Sequence, residues 1–160
     1  MQNITPFLWF NNNAEDAVVF YTSIFPNSRI VRVSTYGDSG PGPQGGVISI
    51  TFEINGLEII ALNGGPLYAF SPAISLFVKC ATQEDVDRYW EKLSTGGEKL
   101  RCGWLRDKFG VSWQVVPEIL EQLINSPDGE ISRRTIDAML QMGKIEIAQL
   151  EEAAYGKTSA

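Results

Sequence analysis

The order of elements in this chain occurs twice, and that repetition constrains the fold more than any single motif does. "AEDAVVFYTSI" (14–24) and "QEDVDRYWEKL" (83–93) align as amphipathic helices, with Phe20-Tyr21 opposite Tyr89-Trp90. A short apolar run precedes each helix, "ITPFLWF" (4–10) and "AISLFVKC" (73–80), and alternating segments follow it. In the first half these are "RIVRVSTY", then "VISITFEINGLEIIALNGG", where Asn55-Gly56 is a strong hairpin signal. In the second they are "EKLRCGWLRD" and "FGVSWQVVP", with a turn near Lys108 to Gly110. The order predicts an α+β chain of two βαβββ modules, over 3–66 and 72–117, within one domain spanning 1–160.

Local signals sharpen the boundaries. Asn13 with Asp16 is expected to cap the first helix, and Thr82 with Asp85 the second, which Gly96-Gly97 closes. "GDSGPGPQGG" (37–46) reads as a loop that either closes over a pocket or carries no structure of its own. Residues 118–156 read as a helical extension broken near Asn125 to Gly129 and at Gly143, with apolar faces that include Ile119, Leu120, Leu123, Ile136, Met139, Leu140, Ile147 and Leu150. Those faces need a cover, and either this chain's own sheets or a second subunit supplies it.

One zero in the composition removes whole classes of chemistry. The chain has no histidine. That excludes a Ser-His-Asp or Cys-His nucleophile pair, zinc deaminase and metalloprotease motifs, and every imidazole ligand. Nineteen acidic against thirteen basic residues give a net charge of −6, the wrong sign for a nucleic-acid binder. No apolar run reaches the ~20 residues of a membrane span. "MQNITPFLWF" lacks the basic-then-apolar order of a secretory leader, and two cysteines make no disulfide framework, so the expected compartment is the cytoplasm.

Two βαβββ units with the opening "ITPFLWF…AEDAVVFY…IFP" resemble the vicinal oxygen chelate superfamily of glyoxalase I and the bleomycin and fosfomycin resistance proteins. "ALNGGP", "QEDVDRYWEKL", "CGWLRDKFGVSWQVVP" and "AMLQMGKIEIAQLEEA" are similar to its PhnB-like group, labelled 3-demethylubiquinone-9 3-methyltransferase domain. The resemblance implies curved mixed sheets around a cavity, commonly completed in a homodimer. In metal-using members a divalent ion is held by His, Glu or Gln from the first strand of each unit and from the last strands. Carried over, those positions fall at Thr5 or Pro6, at Ala73 or Ser75, at Ile60 with Asn63 the nearest polar residue beyond, and at Gln114. One amide survives, and neutral donors bind such ions weakly without anionic or imidazole partners, so no metal and no cofactor is expected.

The expected ligand-facing residues are Gln114, Trp9, Asn63, Trp104 and Cys102. Strand parity puts Ser112 and Gln114 on one face and Val111, Trp113 and Val115 on the other, under the helix. Each of the rest has two readings. Trp9 and Trp104 are pocket walls or core, Asn63 is a ligand contact or a turn residue, Cys102 is a nucleophile or structural, and Asp107 is a general base or a cap of backbone amides. The favoured function is a homodimer binding a small, partly apolar molecule without a metal. The alternatives are a divalent-metal-dependent glyoxalase-like isomerase, lyase or dioxygenase with ligands recruited from Glu53, Glu58 or Asp107, and methyl transfer as the group label implies. For the latter, "LNGGPLY" and "STGGEKL" are neither placed nor spaced as a turn that binds S-adenosylmethionine.

Overall fold

A computed structural model of the chain describes residues 4–38 and 40–156. Residues 1–3, which begin "MQNITPFLWF" and include the first residue of the predicted first module, Ser39 in the 37–46 loop, and residues 157–160 lie outside that range. The chain divides into two compact units, with the boundary between Phe70 and Ser71.

The first unit contains β1 (Phe7–Phe10), α1 (Ala14–Ile24), β2 (Arg29–Thr35), β3 (Val47–Ile54) and β4 (Leu57–Asn63). They form one sheet in the order β1-β4-β3-β2, with β1 parallel to β4 and the other pairs antiparallel. Asn55 and Gly56, at φ 47° and 83°, make the tight turn between β3 and β4. Two consecutive positive φ values match the right-handed twist of the strands they join, and Asn followed by Gly tolerates them. Phe52, Ile59 and Ala61 are buried along with Ala17, Val18 and Tyr21 of α1, and the Tyr21 ring stacks on Phe52.

The start of α1 differs from expectation. The Asn13 side chain makes no capping hydrogen bond. Asn63, at the end of β4, accepts from the Ala14 amide at 2.9 Å and so supplies the cap from the sheet. Because β1 pairs with β4 up to Phe10 opposite Asn63, the end of β4 arrives beside the first turn of the helix.

The second unit repeats the scheme. It contains β5 (Leu76–Cys80), α2 (Gln83–Ser94), β6 (Glu98–Lys99), β7 (Trp104–Arg106) and β8 (Ser112–Pro117), in the order β5-β8-β7-β6 with β5 parallel to β8. The first strand again pairs with the last. The Thr82 hydroxyl caps α2 by accepting from the Asp85 amide at 3.1 Å, as its spacing predicts. The strand expected from Ala73 begins at Leu76, and β6 has only two residues.

On the helix-facing side Trp113 is 1% exposed and Leu105 and Val115 are fully buried, with α2 packed across β7 and β8. Asp107, 3% exposed, accepts from the Phe109 and Val111 amides at 2.9 and 3.0 Å and from the Trp113 indole N–H at 2.8 Å. Its turn therefore supports the buried tryptophan as well as capping backbone amides.

The extension folds back on its own unit as α3 (Glu118–Ile124), α4 (Gly129–Met139) and α5 (Ile147–Tyr155). Leu120, Leu123, Met142, Ile145, Leu150 and Ala154 bury around Val116 of β8. Leu140, expected on the apolar face, is 47% exposed, and Thr135 takes a fully buried position on α4 because its hydroxyl donates to the Ile131 carbonyl at 2.8 Å. Polar ties complete the attachment. The Cys102 amide donates to the Met142 carbonyl, the Gly103 amide donates to that of Gly143, and Gln83 of α2 holds both Ile145 and Ile147. Among the described residues no helix is long and apolar enough to cross a membrane.

Candidate functional site

Cross-strand register assembles the site. Phe77 of β5 lies opposite Gln114 of β8, and Trp104 of β7 lies opposite the same residue, so the three form one row with the amide between two aromatic residues. Directly opposed residues share a face of the sheet, and this face is the one turned away from Trp113. Gln114 Nε2 donates to Ser75 Oγ at 2.9 Å, which anchors the end of the side chain.

Beyond the row, β8 runs through Val116 and Pro117 directly into α3, which turns over the same face. Leu120 and Ile124 of α3, with Met139 at the end of α4, close the other side of a pocket of about 510 Å³ that is also lined by Phe77, Trp104, Cys102 and Gln114. Lys79 and Glu121, 3.6 Å apart and both well exposed, stand in its lining as an ion pair between β5 and α3. Cys102 is half-buried, with its backbone at φ 58° in the turn that the extension ties down. Three of the five predicted ligand-facing residues, Gln114, Trp104 and Cys102, thus line one pocket. Ser75 and the walls from α3 and α4 were not among the expected contacts. Ser75 matches a position implied by the resemblance, whereas the walls follow only from where the extension packs.

The other two belong to the first unit and are occupied there. Asn63 accepts from Ala14, and its Nδ2 donates to Glu15 Oε2 at 2.6 Å and to the Val47 carbonyl at 3.1 Å. Trp9 donates to the Gly65 carbonyl at 2.9 Å and meets the Tyr68 ring edge-on. Gly64 lies so close beneath Trp9 that a Cβ there would fall 2.2 Å from the ring, so "NGG" is a packing motif here. Asn63 does line a smaller hollow of about 430 Å³ with Tyr36 and the following loop. That loop is pinned by hydrogen bonds between Tyr36 and both Gly45 and Gly46, and Gly42 packs against the Tyr36 ring.

The two thiols differ. Cys80 is buried, and burial, reinforced by the negative Asp85 nearby, pushes its thiol up to about 12, which makes it a poor source of thiolate. Glu53 is engaged by Arg29 at 3.0 Å, and both oxygens of Asp107 are committed to the β7–β8 turn and Trp113. Among the described residues no three His, Cys, Asp or Glu side chains cluster as a metal site.

The metal positions implied by the resemblance give the same answer. Phe7 pairs with Ile60 as Phe77 pairs with Gln114, so the first-unit counterpart of Gln114 is a residue with no donor atom. Gln114, Ser75 and Thr5 are neutral, and this set does not fit a tightly held divalent ion. Nor do the glycine pairs fit S-adenosylmethionine. Gly64-Gly65 follow a strand without opening a helix, and Gly96-Gly97 close one.

A family profile described as 3-demethylubiquinone-9 3-methyltransferase matches residues 2–116. The chain belongs to this family. No curated protein matches it. Among solved structures it is similar to the PhnB protein of Bacillus cereus, at 42% identity and TM-score 0.67 over 72% of this chain and 99% of that one. It is also similar to a Pseudomonas aeruginosa protein, at 21% identity and TM-score 0.62 over 74% and 98% of the two chains. FosX, a fosfomycin resistance protein of Listeria monocytogenes, matches at 17% identity and TM-score 0.54, over 76% and 97%. PhnB and FosX place the fold in the vicinal oxygen chelate superfamily. The family profile ends at Val116, so the α3–α5 side of the pocket lies beyond it.

Proposed function

We propose that this family member binds a small, partly apolar molecule in the second-unit pocket, without a metal ion. The observation that carries the reading is the Phe77–Gln114–Trp104 row, a single amide between two aromatic side chains, in the lining of a pocket of about 510 Å³. Pockets of roughly 300–1,000 Å³ with mostly apolar walls and few polar groups suit drug-sized molecules. The protein acts as a cytoplasmic homodimer in this reading, which leaves both methyl transfer and metal-dependent chemistry aside because neither donor set fits.

The test is native mass spectrometry and elemental analysis of protein purified without additives, followed by a thermal-shift screen of small aromatic compounds. A retained or stabilising organic ligand whose affinity falls in Gln114→Ala, with the melting temperature of the free protein unchanged, is the expected result. Stoichiometric manganese, iron, nickel or zinc, with a melting temperature that rises on adding that ion, would replace it with a divalent-metal-dependent isomerase, lyase or dioxygenase. Light scattering at micromolar concentration should give the dimer mass.

A further inference from the structure

Four large apolar side chains around the second-unit pocket stop short of burial. Phe77 is 52% exposed, and Trp104, Ile124 and Met139 are half-buried. They come from β5, β7, α3 and the end of α4, and all four line the same space. Ile124 and Met139 pack against the core of the extension and line the pocket as well, so each has one side covered by the chain and another left open. Apolar area gathered in one hollow is what a bound molecule removes from water. The polar lining is mixed: the Gln114 and Asn125 amides carry donors and acceptors, and the Trp104 indole carries a donor. Such a mixture favours no single hydrogen-bonding pattern, which leaves the apolar walls to discriminate.

Those walls differ in origin. Phe77 and Trp104 lie within the span of the family profile, which stops at Val116, whereas Ile124 and Met139 lie beyond it. The PhnB structure agrees, since 72% of this chain is enough to match 99% of it. The sheet side of the pocket thus belongs to the shared part of the family, and the helical side is added to it. Every lining residue falls between 77 and 139, so one chain supplies both sides.

We infer that Ile124 and Met139 are specificity-determining residues, which contact the apolar part of the ligand and select for it. The ligand class is a largely apolar molecule long enough to reach from the aromatic row of the sheet to the two helices. The inference rests on the pocket reading above and adds which residues choose the ligand. Choice is then made by a segment outside the family profile, and two relatives with the same sheet row need not share a ligand.

The probes are 4-ethylphenol, 4-butylphenol and 4-hexylphenol, one head with three tails, titrated calorimetrically into the full chain. Affinity should rise roughly fourfold for each methylene that finds cover. In Met139→Ala and in Ile124→Ala the preference for the hexyl over the ethyl tail should fall by about tenfold while 4-ethylphenol keeps its affinity. Leu140→Ala, on the same helix but outside the lining, should change nothing. A second measurement needs no variant: 4-hydroxybenzophenone is irradiated with the unaltered chain, and its adducts, expected at Met139 or Ile124 and competed away by 4-hexylphenol, are mapped by mass spectrometry. Where circular dichroism shows that a variant has failed to fold, the adduct map decides. An unchanged tail preference in both folded alanine variants, an equal loss in Leu140→Ala, or adducts confined to Phe77 and Trp104 overturns the inference and leaves the pocket reading intact. No binding of any of these phenols at millimolar concentration, or adducts only outside the lining, overturns the pocket reading and the inference with it.

Discussion

Asp107 accepts the indole N–H of Trp113 at 2.8 Å while its other oxygen holds two backbone amides of the turn between β7 and β8. The carboxylate is buried, and so are its bonds to the Val111 amide and the Trp113 indole, which have no water to fall back on. Asp107→Ala should cost about 3 kcal/mol or more, since hydrogen bonds to a charged group contribute roughly 1.5–3 kcal/mol each and the stranded donors are penalised further. Asp107→Asn should recover only part of the loss, because an amide offers one acceptor oxygen where the carboxylate uses two. Urea unfolding of both variants checks this, and a loss below about 1 kcal/mol for the alanine would contradict it.

Trp113→Ala is expected to lose about 3–5 kcal/mol, the usual range for deleting a fully buried large aromatic residue. Gln114→Ala, one position along, should leave stability nearly unchanged. The comparison tests strand parity directly, because one side chain packs beneath α2 and its neighbour faces the pocket.

Asn63→Ala should destabilise the chain by about 1 kcal/mol or somewhat more, through loss of a helix cap supplied from a strand. Hydrogen exchange should speed first at the amide of Ala14. If Asn13→Ala proves the more damaging change, the capping assignment is wrong.

The extension is fastened by a pair that titrates at both ends of the pH scale. Lys144 and Gln83 both donate to Asp87 and hold its carboxyl below the ordinary 3.8, while Asp87 and then Glu146 hold the Lys144 ammonium above 10.5. The carboxyl contributes stability above about pH 4 that is lost as the pH falls through its lowered value. The ammonium contribution is complete below about pH 10.5 and is lost as the pH rises through the raised value. Both groups are partly exposed, so solvent screening keeps the effect modest. Urea midpoints measured from about pH 2 to 6 should fall less steeply in Asp87→Asn than in the unaltered chain. Parallel profiles would show that the pair does not fasten the extension.

Thiol labelling should find one reactive cysteine. At pH 8 a thiol raised to about 12 is thiolate in roughly one molecule in ten thousand, so Cys80 should stay silent until the chain unfolds. Cys102, half-buried in the pocket lining, should label, and a molecule bound in that pocket should slow it. Equal rates at both cysteines would contradict the packing described for β5.

The fold was legible where short stretches carry their own geometry. Asn55-Gly56 announces a turn, Thr82 and Asp85 a cap, and the doubled helix pattern a doubled unit. Parity alone was enough to separate the face of Gln114 from that of Trp113, and the Asp107 turn was legible from its position before Gly110. What was hidden depends on residues far apart. Asn63 reaches a helix start 49 positions earlier through the parallel β1–β4 pairing, which no local signal encodes. The pocket walls were equally invisible, because an amphipathic tail shows that Leu120 and Met139 need a cover but does not show that they cover Gln114's own face.

In both units the strand made first hydrogen-bonds with the strand made last, β1 with β4 and β5 with β8. A ribosome extrudes these partners at opposite ends of each module, so neither sheet can close until its whole segment has emerged. Synthesis therefore delivers the chain in two instalments, the first ready once residue 63 clears the exit tunnel. The second waits for residue 117 and then acquires its helical cover last.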